Sequence, residues 1–386
     1  NVAWVLNIRG GDGPNSPVPN CRLIISKNKK IFIISKIKKV KKLIKTKIIN
    51  PNQLIDIKDF SEKILKLKGN NFIIDDKSCS IYFEDIINSR FKIIKREDPI
   101  YLFKAIKNKT EIKNMIDTHI KDGVALTRFI YWIKNINKKK INEVQAQNKL
   151  EKFRKMNKDY LYPSFDTIAG SGKNGAIVHY RAKKESCRII RKNDIFLCDS
   201  GGQYKYGTTD VTRTICFSKP KPTIRDIFTK VLKGHIAVAN TNLKRDNIGS
   251  KIDKRARKFL KKDNLDYAHG TGHGVGFFLN VHEGPQSISK INKVKIKEGM
   301  ILSNEPGFYK KNSFGIRIEN LVFVKKLKEK IFFKNLTLVP IDKNLINYNL
   351  LTVSEKKYLF KYHMDVYSKL SKYLNLKERK WLASFI

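Results

Sequence analysis

Three of the seven histidines in this 386-residue chain fall within residues 267–286, YAHGTGHGVGFFLNVHEGPQ. His269 and His273 are four apart, a spacing that on a helix would set both on one face as a metal pair. Gly270, Gly272, Gly274 and Gly276 argue against that helix, since each glycine costs a helix interior about 1 kcal/mol. Alternating glycine fits an extended segment whose backbone something large must approach. A glycine-rich loop with incidental imidazoles is the alternative unless the chain supplies matching carboxylates.

Matching carboxylates are present. IFLC reads as a buried strand ending at Asp199, and VTRTICF as another starting just after Asp210. The glycine-rich residues between them read as a hairpin, which would set the two acids side by side. Two ionised carboxylates together are costly unless a cation lies between them; turn aspartates satisfying backbone amides are the alternative. GMILSN reads as a strand with Glu305 at its tip, stopped by Pro306-Gly307. In residues 315–320 the alternation places Arg317 and Glu319 on one face of a strand that continues through LVFV, where a buried ion pair through Arg317 is the alternative. Upstream, Gly170-x-Gly172-x-x-Gly175 is a formal dinucleotide match. It runs into an extended AIVHY instead of a helix, so the loop is expected to position His179 at its far end. Two Asp, one His and two Glu at strand ends or faces would carry a charge of about −4 at neutral pH. A pair of divalent cations would neutralise that charge, and the oxygen-dominated set favours Mn²⁺ over thiolate-preferring zinc.

Four of these segments, DSGGQYKYGTTDVTRT, HGTGHGVGFFLNVHEGP, SNEPGFY and GIRIEN, resemble in order and spacing the pita-bread metallopeptidases. Within that family they are most similar to the long form of aminopeptidase P, the Xaa-Pro aminopeptidases. The strong resemblance spans about residues 164–320. Weaker similarity covers NVAWVLNIRGGDGPNSPV and NLTLVPID. It implies an α+β fold: a partial α/β creatinase-N-like domain over 1–105, then a pita-bread catalytic domain with a C-terminal extension over 106–386. Carried over position by position, it implies that Asp199, Asp210, His273, Glu305 and Glu319 bind two metal ions, Asp210 and Glu319 bridging both. Mn²⁺ is the expected ion, with Zn²⁺ or Co²⁺ as alternatives. Glu305 would also take the proton of a bridging water, and the hydroxide so formed would hydrolyse the N-terminal Xaa-Pro bond. His179, His269 and His282 would line the substrate site, His282 helping to hold the scissile carbonyl or its oxyanion. Arg317 would support the carboxylates on the metal side. Phe308 stands where that family frequently has tyrosine. The implied partners are peptides with proline second and a second copy of the chain. A prolidase or methionine aminopeptidase of the same fold, or a non-catalytic binding module, are the rival readings.

The net charge of +45 invites a nucleic-acid partner. The lysines, however, are spread along the whole length and no basic stripe with interleaved aromatics is evident, so no specific nucleic-acid partner is expected. No apolar run reaches the ~18 residues of a membrane span. Five cysteines without a CxxC suit a reducing cytoplasm. The chain opens without Met in NVAWVLNI, which reads as a buried strand, so upstream elements are expected beyond it.

Among the positioning elements, CRLIIS and IFIIS read as strands around a KNKK turn, residues 53–67 as a helix, and NFIID and FKIIK as further strands. A long amphipathic pattern starts at Glu111, capped by Thr110 or Asn108, and Asp122-Gly123 leaves its continuity open. A second helix is expected over about 142–156, with others near 223–240 and 250–262. The first two are read as scaffold without chemistry.

Overall fold

The computed structural model describes residues 1–136 and 140–386. The chain forms two compact units, one of residues 1–13 and 18–104, the other of residues 14–17 and 105–386.

In the first unit Arg22–Ile25 and Ile31–Ile34 pair antiparallel, and Leu54–Ile55 joins Ile33 and Ile34 in parallel. Asn71–Ile74 and Lys92–Lys95 form a separate parallel pair. Their inner faces pack with Phe60, Ile64, Phe83 and Ile87 into one core. Two sequence expectations fail here. The opening run is a short helix, Val2–Val5, closed by Val5 N–H to Asn1 C=O at 3.1 Å and Leu6 N–H to Val2 C=O at 3.0 Å. So short an apolar run carries no period that separates helix from strand. Residues 53–67 hold a helix only over Phe60–Leu65, because Leu54 and Ile55 are drawn into the sheet and the Asp56 carboxylate caps a separate turn at Lys58 N–H.

Among the described residues, the second unit layers helices over three sheets, two of which carry candidate site residues. Ile195–Ser200 is the middle strand of one, flanked antiparallel by Val211–Cys216 and Ile168–Ser171. The other has five strands in the order Glu283–Ile288, Gly272–Gly274, Ile301–Asn304, Asn320–Leu327, Lys330–Asn335. A hairpin of Gly307–Lys310 and Phe314–Arg317 stands apart from both sheets. The expected strand through 315–324 is therefore broken at Ile318 and Glu319. There the backbone N–H groups switch to Pro306 C=O (3.3 Å), in the link before the hairpin, and to Thr212 C=O (3.1 Å), on the strand Val211–Cys216.

Lys109–Asn135 is one unbroken 27-residue helix, capped by Asn108 and running through Asp122-Gly123. Both residues are there for packing. A Cβ on Gly123 would lie 2.4 Å from the Leu338 carbonyl oxygen, so only glycine lets the helix approach that chain. Asp122, buried, accepts from Arg154 Nε (2.7 Å) and from the Tyr204 hydroxyl (2.8 Å). Glu143–Lys155, Pro222–Ala239 and Gly249–Lys261 are the other expected helices, and Val353–Leu370 and Leu376–Ala383 close the chain. Among the described residues, no helix is long and apolar enough to cross a membrane.

His363, on the helix Val353–Leu370, is 3% exposed, and its Nε2 accepts from Ile341 N–H at 3.2 Å. Burial, helped by the charge of Arg213, pushes its pKa down to about 3. Between about pH 6.5, where an unfolded histidine titrates, and about pH 3, the unfolded chain binds one more proton than the folded one. Stability therefore falls with falling pH, by up to about 1.4 kcal/mol per unit from this residue. Urea titrations across that range should show a shallower acid limb in His363→Gln; an unchanged limb would remove His363 as its source.

Candidate active site

The two sheets and the hairpin converge on one cluster. Asp199 lies opposite Thr212 in the antiparallel register, and Asp210 immediately precedes the second strand, so the hairpin expectation for this pair holds. The residues between them are themselves paired, Gly202–Tyr204 with Gly207–Thr208, in a small sheet completed by Tyr160–Pro163. His273 is the middle residue of Gly272–Gly274. A Cβ on Gly272 would sit 2.0 Å from the Ser303 carbonyl oxygen, so the alternating glycine serves close strand approach. Ser303 then fixes both neighbours: its Oγ accepts from His273 N–H (2.9 Å) and donates to Glu305 Oε1 (2.9 Å). Glu319 Oε2 accepts from Thr212 Oγ1 at 2.8 Å.

Ligand-type atoms of Asp199, Asp210 and Glu319 fall within 4.8 Å of one another, as do those of His273, Glu305 and Glu319, and those of Asp210, His273 and His282. His273 Nε2 is 3.4 Å from both Asp210 Oδ2 and Glu305 Oε1. The third group was not foreseen from the sequence: His282 stands against His273, ring centroids 4.3 Å apart at 86°.

Charge is crowded here. Burial first, and then the neighbouring carboxylates, push Asp210 and Glu319 well above the usual carboxylate range, and the two share a hydrogen bond. Burial opposes ionisation of Glu305 too, but His273, His269, Arg317 and the Ser303 hydroxyl outweigh it and lower its pKa. Asp199 Oδ1 is buried and has no hydrogen-bond partner among the described residues. Its other oxygen takes the Arg317 guanidinium at 2.5 Å. Arg317 thus pairs with Asp199, while its Nε donates to Thr212 Oγ1 (3.1 Å) and its Nη1 to the Tyr309 hydroxyl (2.5 Å). One guanidinium against four carboxylates, with an orphaned oxygen facing the group, is a donor set suited to divalent cations.

The remaining candidates surround the cluster. His269 Nε2 meets the Tyr309 hydroxyl at 2.8 Å, and burial lowers the pKa of this imidazole. His282 is exposed; partial desolvation and then the charge of His273 lower its pKa, with a smaller contribution from His179. His179 is itself exposed. The residues before it are not the extended stretch expected: a 3₁₀ turn, Gly172–Ala176, leads into irregular chain.

Two contributors escaped the sequence reading. Burial pushes the Tyr309 hydroxyl up to about 12, so it stays a donor linking His269 to Arg317. Its place in SNEPGFY was the available signal. Glu143, 0% exposed at the start of a helix read as scaffold, accepts from Ser171 N–H (2.7 Å), Asn174 Nδ2, the Tyr180 hydroxyl (2.7 Å) and Arg188 N–H (2.8 Å). One carboxylate therefore anchors the whole loop that presents His179. Only the Asn142–Gln145 capping box marked that position. A cavity of about 480 Å³ bounded by Arg128, Tyr131, Trp132, Phe153 and Glu378 lies elsewhere in the unit and contains none of these donors.

The description "Metallopeptidase family M24" matches residues 113–326, more than half of the chain. The chain belongs to metallopeptidase family M24. A creatinase/prolidase N-terminal domain matches residues 1–111, and the C-terminal region of peptidase M24 matches 330–384. This M24 chain is 39% identical, over an alignment of 401 residues, to a probable Xaa-Pro aminopeptidase P of Laccaria bicolor, covering 99% of itself and 62% of that protein. Its fold is similar to the X-prolyl aminopeptidase of Caenorhabditis elegans, described as a cytosolic enzyme with a di-nuclear active site. The TM-score is 0.90 at 30% identity, over 99% of this chain and 66% of that one. The prolidase of Pyrococcus furiosus superposes at a TM-score of 0.68 with 25% identity, over 87% of this chain and 94% of that one. The M24 chain thus has the pita-bread α+β architecture and spans 62% of the length of its Laccaria relative.

Proposed function

We propose that this chain is the catalytic part of a metal-dependent aminopeptidase that hydrolyses the N-terminal Xaa-Pro bond. The observation carrying this reading is the convergence of Asp199, Asp210, His273, Glu305 and Glu319, side chains spread over 120 residues, on one buried cluster. These five would hold two divalent ions, and four carboxylates with one imidazole suit Mn²⁺. When bound, such ions supply Lewis acidity and an activated water at neutral pH.

The chain's own groups supply the rest. Glu305, whose ionised form His273, His269, Arg317 and the Ser303 hydroxyl favour, can accept the proton of the attacking water. His282 and His179, on the open side, are available to donate to the scissile carbonyl as negative charge develops on its oxygen. Arg317 holds Asp199 in place and, through Tyr309, sets His269 along the substrate wall. An Xaa-Pro bond is a tertiary amide without N–H, so a site that grips the carbonyl needs no donor from the leaving nitrogen. The free state of all five cysteines supports a reducing, cytoplasmic setting.

The 39% identity to a probable Xaa-Pro aminopeptidase P over 99% of this chain supports the longer substrate. Steady-state kinetics on Xaa-Pro-Yaa tripeptides and Xaa-Pro dipeptides test it. Cleavage of the tripeptide with a free N-terminal residue released is expected; turnover of dipeptides alone would replace the reading with a prolidase.

A further inference from the structure

Residues 266–271 form neither helix nor strand, yet they carry His269 and lead straight into the strand that bears His273. A segment without a ladder of its own must have its backbone polar groups held from outside. Arg257, on the helix Gly249–Lys261 and 2% exposed, does this. Its Nε donates to Asp253 Oδ2 (2.8 Å), its Nη1 to Asp266 Oδ1 (2.6 Å) and the Tyr267 carbonyl (2.7 Å), and its Nη2 to the His269 carbonyl (2.7 Å). The guanidinium also lies over the Tyr267 ring, 3.9 Å from its centroid. Asp253 thus fixes one end of a planar fork whose other donors hold three points of the loop. A lysine, with a single ammonium, cannot reproduce that arrangement. The same aspartate braces the far side: its Oδ1 accepts from Thr271 Oγ1 (2.6 Å), and the Thr271 carbonyl accepts from Glu305 N–H (2.8 Å).

We infer that Arg257 is a positioning residue, setting where His269 stands in the cleft through the loop carbonyls it holds. The inference uses the peptidase reading only for its activity readout. His269 meets Tyr309 on the substrate wall, while His273 keeps its own N–H bond to Ser303 Oγ, so a small displacement of the loop reaches the substrate wall first.

Arg257→Lys in the full chain keeps the charge and removes the fork. On an Xaa-Pro-Yaa peptide it should lower kcat/KM by between about tenfold and a hundredfold, mainly through KM, at unchanged metal content by elemental analysis. In a His269→Ala background the same change should cost less than about threefold, because the group it positions is gone. In the metal-free protein, amide hydrogen exchange should accelerate over 266–271 and stay unchanged elsewhere in the catalytic unit. Equal losses in both backgrounds, or faster exchange throughout the unit, would make Arg257 a general stabiliser and overturn the inference. Should Arg257→Lys fail to fold, Asp253→Asn, which keeps the volume and weakens the grip on the guanidinium, is read by the same criteria. If the unaltered chain cleaves no Xaa-Pro peptide, the peptidase reading fails by itself. The exchange pattern then decides Arg257, and no local change would sink it.

Discussion

Asp210→Asn or Glu305→Gln lowers kcat by at least ~10³, about 4 kcal/mol in the barrier, while the fold persists. The two halves of this expectation have different causes. Asp210 contributes to two of the three ligand groupings and Glu305 sits against His273, so either amide withdraws an anionic donor where cations would bind. Glu305→Gln also removes the acceptor for the water proton. Stability should not suffer, because burial and like charge already hold Asp210 far above its ordinary range. An uncharged amide in that position relieves repulsion that the metal-free carboxylates impose on one another. Thermal denaturation of metal-free Asp210→Asn should therefore match or exceed the parent, while turnover and metal content drop. Near-full activity in either variant would strike that residue from the mechanism.

Chelation should abolish activity and Mn²⁺ should restore it, with stability moving in the same direction. Without cations the cluster has one guanidinium, Arg317, against four carboxylates, and leaves Asp199 Oδ1 buried without a partner. Ions that bind only the folded state stabilise it by RT ln(1 + [L]/Kd), about 4 kcal/mol at a thousandfold excess over Kd. Calorimetry of chelated and Mn²⁺-loaded protein should show that gain as a higher Tm. The gain should vanish in Glu319→Gln, which breaks two of the three ligand groupings. An activity indifferent to chelator, or a Tm unmoved by Mn²⁺, would contradict the metal assignment.

Much of the positioning frame was legible in the sequence because it follows from local rules. IFLC and VTRTIC are fully buried strands with turn residues between them, and they pair as read. The helices over 109–135, 143–155, 222–239 and 249–261 announce themselves by apolar period, three of them with caps or an N-terminal proline. The misreadings share a cause as well. Short apolar runs such as VAWV and LI have no period long enough to separate helix from strand. At Ile318–Glu319 the chain was pulled off one strand by backbone hydrogen bonds to Pro306 and to the distant Thr212.

Residue type and spacing by themselves determined which side chains could do chemistry here: two aspartates flanking a hairpin, a histidine among glycines, two glutamates at strand ends. Only the tertiary structure decided how they are used. It paired Arg317 with Asp199, 118 residues away, in place of its near neighbour Glu319; it set His282 against His273; it turned Glu143 from apparent scaffold into the anchor of one loop; and it brought Arg257 onto the carbonyls of another. The reason is physical. A strand's own pattern says which face a side chain takes, but the partner across the cleft is set by how separate sheets and helices register against one another, and no local period encodes that.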